Sequence, residues 1–187
     1  MDLVLQEGGI VTKEKTTFKV GDFVNYRNSG ICEVKEIVEK DFGVGLKTYY
    51  ILKNVYEEDT VVRIPIDSKA VDLNMRRVLT KKEINQIITD TESSDNVWID
   101  DYKKRATKFE EILAKGNRSD ILWMIKVLSI YKVEAKDSKR KFGVTDEKLL
   151  EQAEKMIVQE FSFILKIDQE EVIPYITKKV EKLRKGE

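Results

Sequence analysis

Trp98 opens the stretch whose residue types and spacing come closest to chemistry. Tyr102, Arg105 and Phe109 follow it at helical intervals, and Lys103, Lys104 and Lys108 flank them. An indole beside cations can stack on or wedge against unpaired bases while lysines hold the phosphates. The other reading gives the same indole to a helical core, which it caps with Tyr102 and Phe109 beneath it. Asp100 and Asp101 bear on both: carboxylates suit the positive end of a helix but repel phosphates close by. Arg63 is the second candidate. It sits in an apolar strand pattern just before Ile64-Pro65, where alternation points it outward. A guanidinium there can fork onto a partner's carboxylate, or simply guard an exposed strand against aggregation.

Catalytic sets are missing from the pattern. The 187 residues contain no His, the commonest acid–base group and zinc ligand, and one Cys, which can form neither an internal disulfide nor a thiolate metal cage. Cys32 lies in an apolar strand pattern and reads as a buried structural thiol. Gly43-Val44-Gly45 is too short for a phosphate loop, and no helix follows it to supply N–H groups. The expectation is a non-enzyme without cofactor or metal. The 34 basic residues balance 34 acidic ones, so the whole chain is not built for strong, non-specific nucleic-acid binding. No apolar run approaches the ~20 residues of a membrane helix, and residues 1–17 lack the pattern of a signal peptide. A cytoplasmic protein is expected.

The elements that must position these residues fall into two kinds. Up to about residue 75 the grammar is strand-like. Val20, Phe23, Val24 and Tyr26 precede the turn cluster Arg27-Asn28-Ser29-Gly30. Ile31–Val38, Thr48–Leu52 and Thr60–Ile64 follow, the last stopped by Pro65. Four or five short strands at this spacing predict a small antiparallel barrel of Tudor/SH3-like type. After residue 75 the pattern predicts a compact all-α bundle, making the chain α+β. Thr80-Lys81-Lys82-Glu83 is a capping box sequence. Thr91–Asn96 reads as a loop, and the next helix is expected from near Trp98 to Lys115, stopped by Gly116. A third helix starts at Asn117 or Ser119 and runs to about Lys136. It carries two apolar stripes, with Trp123 on the second, which marks a central helix or a contact with the β half or a second chain. Thr145 is expected to cap a fourth helix, and Asp168 with Glu171 a fifth that contains Pro174. The expected division is an extension at 1–17 that reads as a flexible tail, a β domain at 18–75 and a helical domain at 76–187.

Several short motifs, in order, resemble the CarD/CdnL family of bacterial transcription regulators. They are Phe18-Lys19-Val20-Gly21-Asp22-Phe23-Val24-Asn25-Tyr26, Gly30, Tyr49-Tyr50-Ile51-Leu52-Lys53 and Val62-Arg63-Ile64-Pro65. Val97-Trp98 with Tyr102-Lys103, and Leu113-Ala114-Lys115-Gly116-Asn117, carry the likeness into the helical half. The opening strand also resembles the polymerase-interacting module of transcription-repair coupling factors, but no nucleotide-binding loop accompanies it here. The resemblance implies a Tudor-like β domain that binds the β subunit of bacterial RNA polymerase. It implies a helical domain that touches promoter DNA at the upstream edge of the bubble, weakly and only with polymerase. Arg63 matches the family's polymerase-contacting Arg, and Lys40 falls near a second basic contact. Trp98 matches the family's wedge Trp, Lys103 and Lys104 fall where basic support is expected, and Lys148 is a helix-start counterpart. Two departures stand out. Arg27-Asn28-Ser29 replaces the family's Pro and His before Gly30, and Asp100-Asp101 replaces basic residues after the Trp. A protein–protein adaptor on polymerase without DNA contact is the alternative. Monomer is the default state, and the third helix leaves a dimer open.

Overall fold

A computed structural model describes residues 18–57, 59–139 and 141–186, so the expected N-terminal extension lies outside the described residues. Strands β1 (Phe23–Tyr26), β2 (Ile31–Asp41), β3 (Leu46–Asn54), β4 (Val61–Pro65) and β5 (Met75–Arg77) form one antiparallel sheet, ordered β4-β3-β2-β1-β5. β1 begins only at Phe23; Val20 lies in the preceding turn. Pro65 ends β4 at the sheet edge, where its missing N–H costs no ladder bond. A short helix, α1 (Lys69–Asn74), packs against both end strands, β4 and β5. It had no counterpart in the sequence pattern, and neither did β5, which runs past residue 75. One face of the sheet closes over Val24, Cys32, Val34, Tyr50, Leu52 and Ile64, with Phe18, Val71 and Met75 completing that core.

Five helices follow: α2 (Lys81–Ser93), α3 (Tyr102–Lys115), α4 (Arg118–Asp137), α5 (Val144–Leu165) and α6 (Gln169–Lys185). Several termini form as their residues dictate. Thr80 and Glu83 make the reciprocal capping box of α2, Asn117 accepts from two N–H groups to start α4, and Gly116 ends α3 at φ 65°. Three boundaries differ from expectation. α2 continues through Thr91 to Ser93. α3 starts at Tyr102, because the Asp101 carboxylate accepts from the N–H groups of Lys103 and Lys104 and so sets the N-cap there. α5 starts at Val144 with Gly143 as N-cap, leaving Thr145 inside the first turn.

The bundle core runs through Ile84 and Ile88 of α2, Phe109 of α3, Met124 and Leu128 of α4, Ala153, Ile157 and Phe161 of α5, and Val172 of α6. α4 packs against α2, α3 and α5, and α5 meets all four of the other bundle helices. Of the second stripe of α4, Val127 is buried and Trp123 lies edge-on to Phe109, with the indole N–H donating to the Asp95 carbonyl at 2.8 Å. The Trp123 contact is therefore with its own bundle rather than with the β half. Among the described residues, no helix is long and apolar enough to cross a membrane.

Sheet and bundle meet through specific groups. The Tyr56 hydroxyl donates to the Gln159 carbonyl at 2.8 Å and lies 2.9 Å from Ser162 Oγ. Phe23 packs on Phe163 with centroids 4.8 Å apart. Asn25 Nδ2 and Arg118 Nε both donate to Glu160 Oε2, at 3.3 and 2.5 Å. Arg76 on β5 donates to the carbonyls of Lys115 and Gly116, the unpaired acceptors that end α3. These contacts give the bundle two ends. The starts of α2 and α4 and the last turns of α3 and α5 face the sheet. The C-terminal end of α2 and the starts of α3 and α5 lie at the far end.

Candidate functional site

Two clusters of side chains emerge, one on the sheet and one at the far end of the bundle. On the sheet, Arg63 in β4 stands opposite Ile51, and Lys40 in β2 opposite Lys47. Both are exposed, and both converge on Phe42 at the β2–β3 turn. Lys40 Nζ lies 5.3 Å and the Arg63 guanidinium 5.6 Å from the ring centroid. The turn is built by Asp41, whose Oδ1 accepts from the N–H groups of Gly43, Val44 and Gly45. Gly43 and Gly45 hold φ of 94° and 86°, a region that favours glycine. Phe42 packs edge-on against Tyr49, 4.9 Å between centroids, and stays 41% exposed. The ring spaces two cations that residue types alone left unconnected, and Phe42 is the site residue that the sequence reading missed. Its signal was a phenylalanine placed between a lysine and two glycines.

At the far end, Trp98 is half-buried and lies in the segment before α3 rather than on the helix. Its ring stacks on Tyr131 of α4, with centroids 3.5 Å apart and planes 13° from parallel. The Arg105 guanidinium lies 4.2 Å from the indole centroid. Arg105 is no phosphate ligand. It is 7% exposed and grips the Asp146 carboxylate with two bonds, Nε to Oδ1 at 2.9 Å and Nη2 to Oδ2 at 2.8 Å. Its Nη1 donates to the Ile99 carbonyl at 2.6 Å, fixing the Trp98 segment from below. Hydrogen bonding to Asp146 raises the guanidinium's pKa further, so Arg105 keeps its charge. Nor does Tyr102 lie beneath the indole: it is 63% exposed. Phe109 is buried, but its aromatic partner is Trp123.

The Arg105–Asp146 pair also brings the first turns of α3 and α5 together. Lys103 and Lys104 on α3 and Lys148 on α5 are exposed there, so the structure gathers them at the same end as Trp98. Asp101 turns its carboxylate onto the backbone of α3, where it serves as the cap. Cys32 is fully buried, and burial pushes its thiol up to about 11, far from a nucleophile's range. Tyr131 and Asp146, which hold the indole in place, carry no sequence signal, because their partners are 33 and 41 residues away in the chain.

Comparison with protein families assigns both halves. The model described as CarD-like/TRCF RID domain matches residues 18–79, and that described as CarD, C-terminal domain matches residues 83–177. A search of curated proteins finds no match. The first domain type interacts with RNA polymerase, and neither is a catalytic domain. The N-terminal antiparallel sheet, the helical bundle behind it and the two matches in chain order lead to one assignment: the chain belongs to the CarD-like family of RNA polymerase-interacting transcription factors.

Proposed function

We propose that this protein docks on the β subunit of bacterial RNA polymerase through the Arg63–Phe42–Lys40 cluster and stabilises the promoter open complex with the far end of its bundle. It works in the cytoplasm, as a monomer, with residues 18–75 as anchor and 76–187 as the promoter-facing part. The observation that carries the reading is the position of Trp98: half-buried, braced by Tyr131 and Arg105, and flanked by Lys103, Lys104 and Lys148 at the end away from the sheet. Its π-surface is occupied within the molecule, so the free rim acts as a rigid prop at the upstream edge of the bubble rather than as a stacking platform. The lysines hold nearby phosphates.

The energetics suit a chain of zero net charge. Docking raises the effective concentration of the bundle at the promoter, so a weak DNA contact is enough. A prop shifts the closed–open equilibrium only by its differential affinity, and about 1.4 kcal/mol gives tenfold. Open-complex lifetime with purified polymerase tests this. Trp98→Ala should shorten the lifetime while polymerase binding persists; Arg63→Glu should abolish polymerase binding. Full activity of Trp98→Ala defeats the prop. The exposed carboxylate of Asp100 beside the lysines favours a second reading, an adaptor on polymerase without DNA contact. Crosslinks from position 98 to promoter DNA count against the adaptor.

A further inference from the structure

The last three turns of α6 carry a feature outside the residues matched by the family model, which end at 177. Lys178, Lys182 and Lys185 recur at i, i+4 and i+7, so they share one face of the helix. All three are exposed, and among the described residues none forms an ion pair. Glu181 borders the face and pairs with none of them; its charge acts on Arg184. Arg184 itself is engaged, with Nε donating to Glu92 Oε1 at 2.7 Å. Together with the bond from the Tyr175 hydroxyl to Asn85 Oδ1 at 2.9 Å, this lays α6 parallel to α2. The lysine face therefore ends beside the C-terminal end of α2, from which residues 94–97 lead directly to Trp98.

A helix dipole explains basic residues in a final turn but not further back, since its effect fades within that turn. Lys178 lies two turns from the end. The apolar face of α6, with Val172, Ile176 and Val180, is turned toward the bundle, and Ile173 is the one large apolar side chain of the helix exposed among the described residues, too little for an apolar face that enters a lipid layer. What remains is a row of cations about 10 Å long. Duplex DNA offers one negative charge per ~1.7 Å of its axis, which is a matching partner for such a row. We propose that Lys178, Lys182 and Lys185 form a rail that contacts the backbone phosphates of duplex DNA upstream of Trp98. The proposal rests on the reading that the far end of the bundle faces promoter DNA. It supplies the attraction that Asp100 weakens beside the indole.

The test is the affinity of the full chain for a polymerase–promoter complex between 50 and 200 mM salt. The variant Lys178→Gln/Lys182→Gln/Lys185→Gln is compared with Lys81→Gln/Lys82→Gln/Lys115→Gln, which removes equal charge at the sheet-facing end. Three phosphate contacts at about 0.9 each predict that the slope of log K against log [salt] falls by roughly 2.7, worth about 40-fold across that fourfold salt range. The comparison variant should keep the wild-type slope, and both should bind polymerase without DNA as the wild type does. Lys182→Gln alone, with a slope change of about 0.9, covers the case in which the triple variant folds poorly. A wild-type slope in the triple variant overturns the rail, even if Trp98→Ala still shortens the open-complex lifetime. A reduced slope with no effect of Trp98→Ala upholds the rail and removes the prop. Loss of affinity for polymerase alone makes the partner an acidic protein surface and overturns the assignment to DNA.

Discussion

The proposed prop and the packing of Trp98 within the bundle cannot be separated by a single truncation. Its stack on Tyr131 contributes about 0.5–1.5 kcal/mol beyond the burial of area. Trp98→Ala removes both the rim that would meet DNA and a piece of the fold. Tyr131→Leu removes the stack and leaves the indole. If Trp98 serves only the fold, the two variants should lower the urea midpoint and the open-complex lifetime in the same proportion. If it is a prop, Trp98→Ala should cost much more lifetime than Tyr131→Leu at equal loss of stability. At this scale the sequence was informative about identity and poor about surroundings. Trp98, Arg63 and the lysines were all visible as types. That Arg105 would be buried was not, because the carboxylate that neutralises it sits in another helix. Phe42 escaped because a cation–aromatic cluster across a sheet depends on register, which alternation alone does not fix.

Elements were most legible where a cap is local. Thr80 with Glu83, Asn117 and Gly116 each satisfy backbone groups within a few residues, and all appeared where the chemistry put them. The start of α3 shifted because Asp101 is a better cap than anything near Trp98, and β5 escaped because three residues carry no periodicity. Two predictions belong here. The Arg105–Asp146 pair is nearly sealed from solvent and ties α3 to α5. Asp146→Ala strands a buried guanidinium and should cost about 3–5 kcal/mol in urea unfolding. Replacing both partners with leucine should restore much of that loss. The second concerns pH. Hydrogen bonding from Arg77, then from the Thr80 backbone, holds the Glu83 carboxyl at about 2. Its folded-state value is depressed, so its contribution to stability is present above the ordinary 4.5 and is lost as pH falls toward about 2. The stability difference between wild type and Glu83→Gln should therefore be larger at pH 7 than at pH 3, in denaturant titrations at both.

For the whole molecule the junction between sheet and bundle matters most. Glu160 is 2% exposed, is held by Arg118 and Asn25, and keeps a second oxygen without a partner among the described residues. A cavity of about 190 Å³ lies beside it, with Asn25, Arg27 and Arg118 among its walls. Most of the other cross-contacts come from Tyr56, Phe23 and Arg76. Tyr56→Phe combined with Phe23→Ala removes the hydroxyl bonds and the ring contact while leaving each core intact. Calorimetry of this variant should resolve two transitions, one per core, and polymerase binding should survive with a shortened open-complex lifetime. A single transition at the wild-type midpoint would mean that the junction is held elsewhere.

The helix α5 runs unbroken for 22 residues, from the Arg105–Asp146 tie to the groups that meet the sheet. At 1.5 Å per residue that is about 33 Å, close to one turn of B-form DNA. Under the function proposed above, with one extremity clasped to a large enzyme, such a rod would act as a yardstick. The place at which the other extremity meets a promoter would then be set by helix length, counted from the enzyme and not from any base sequence.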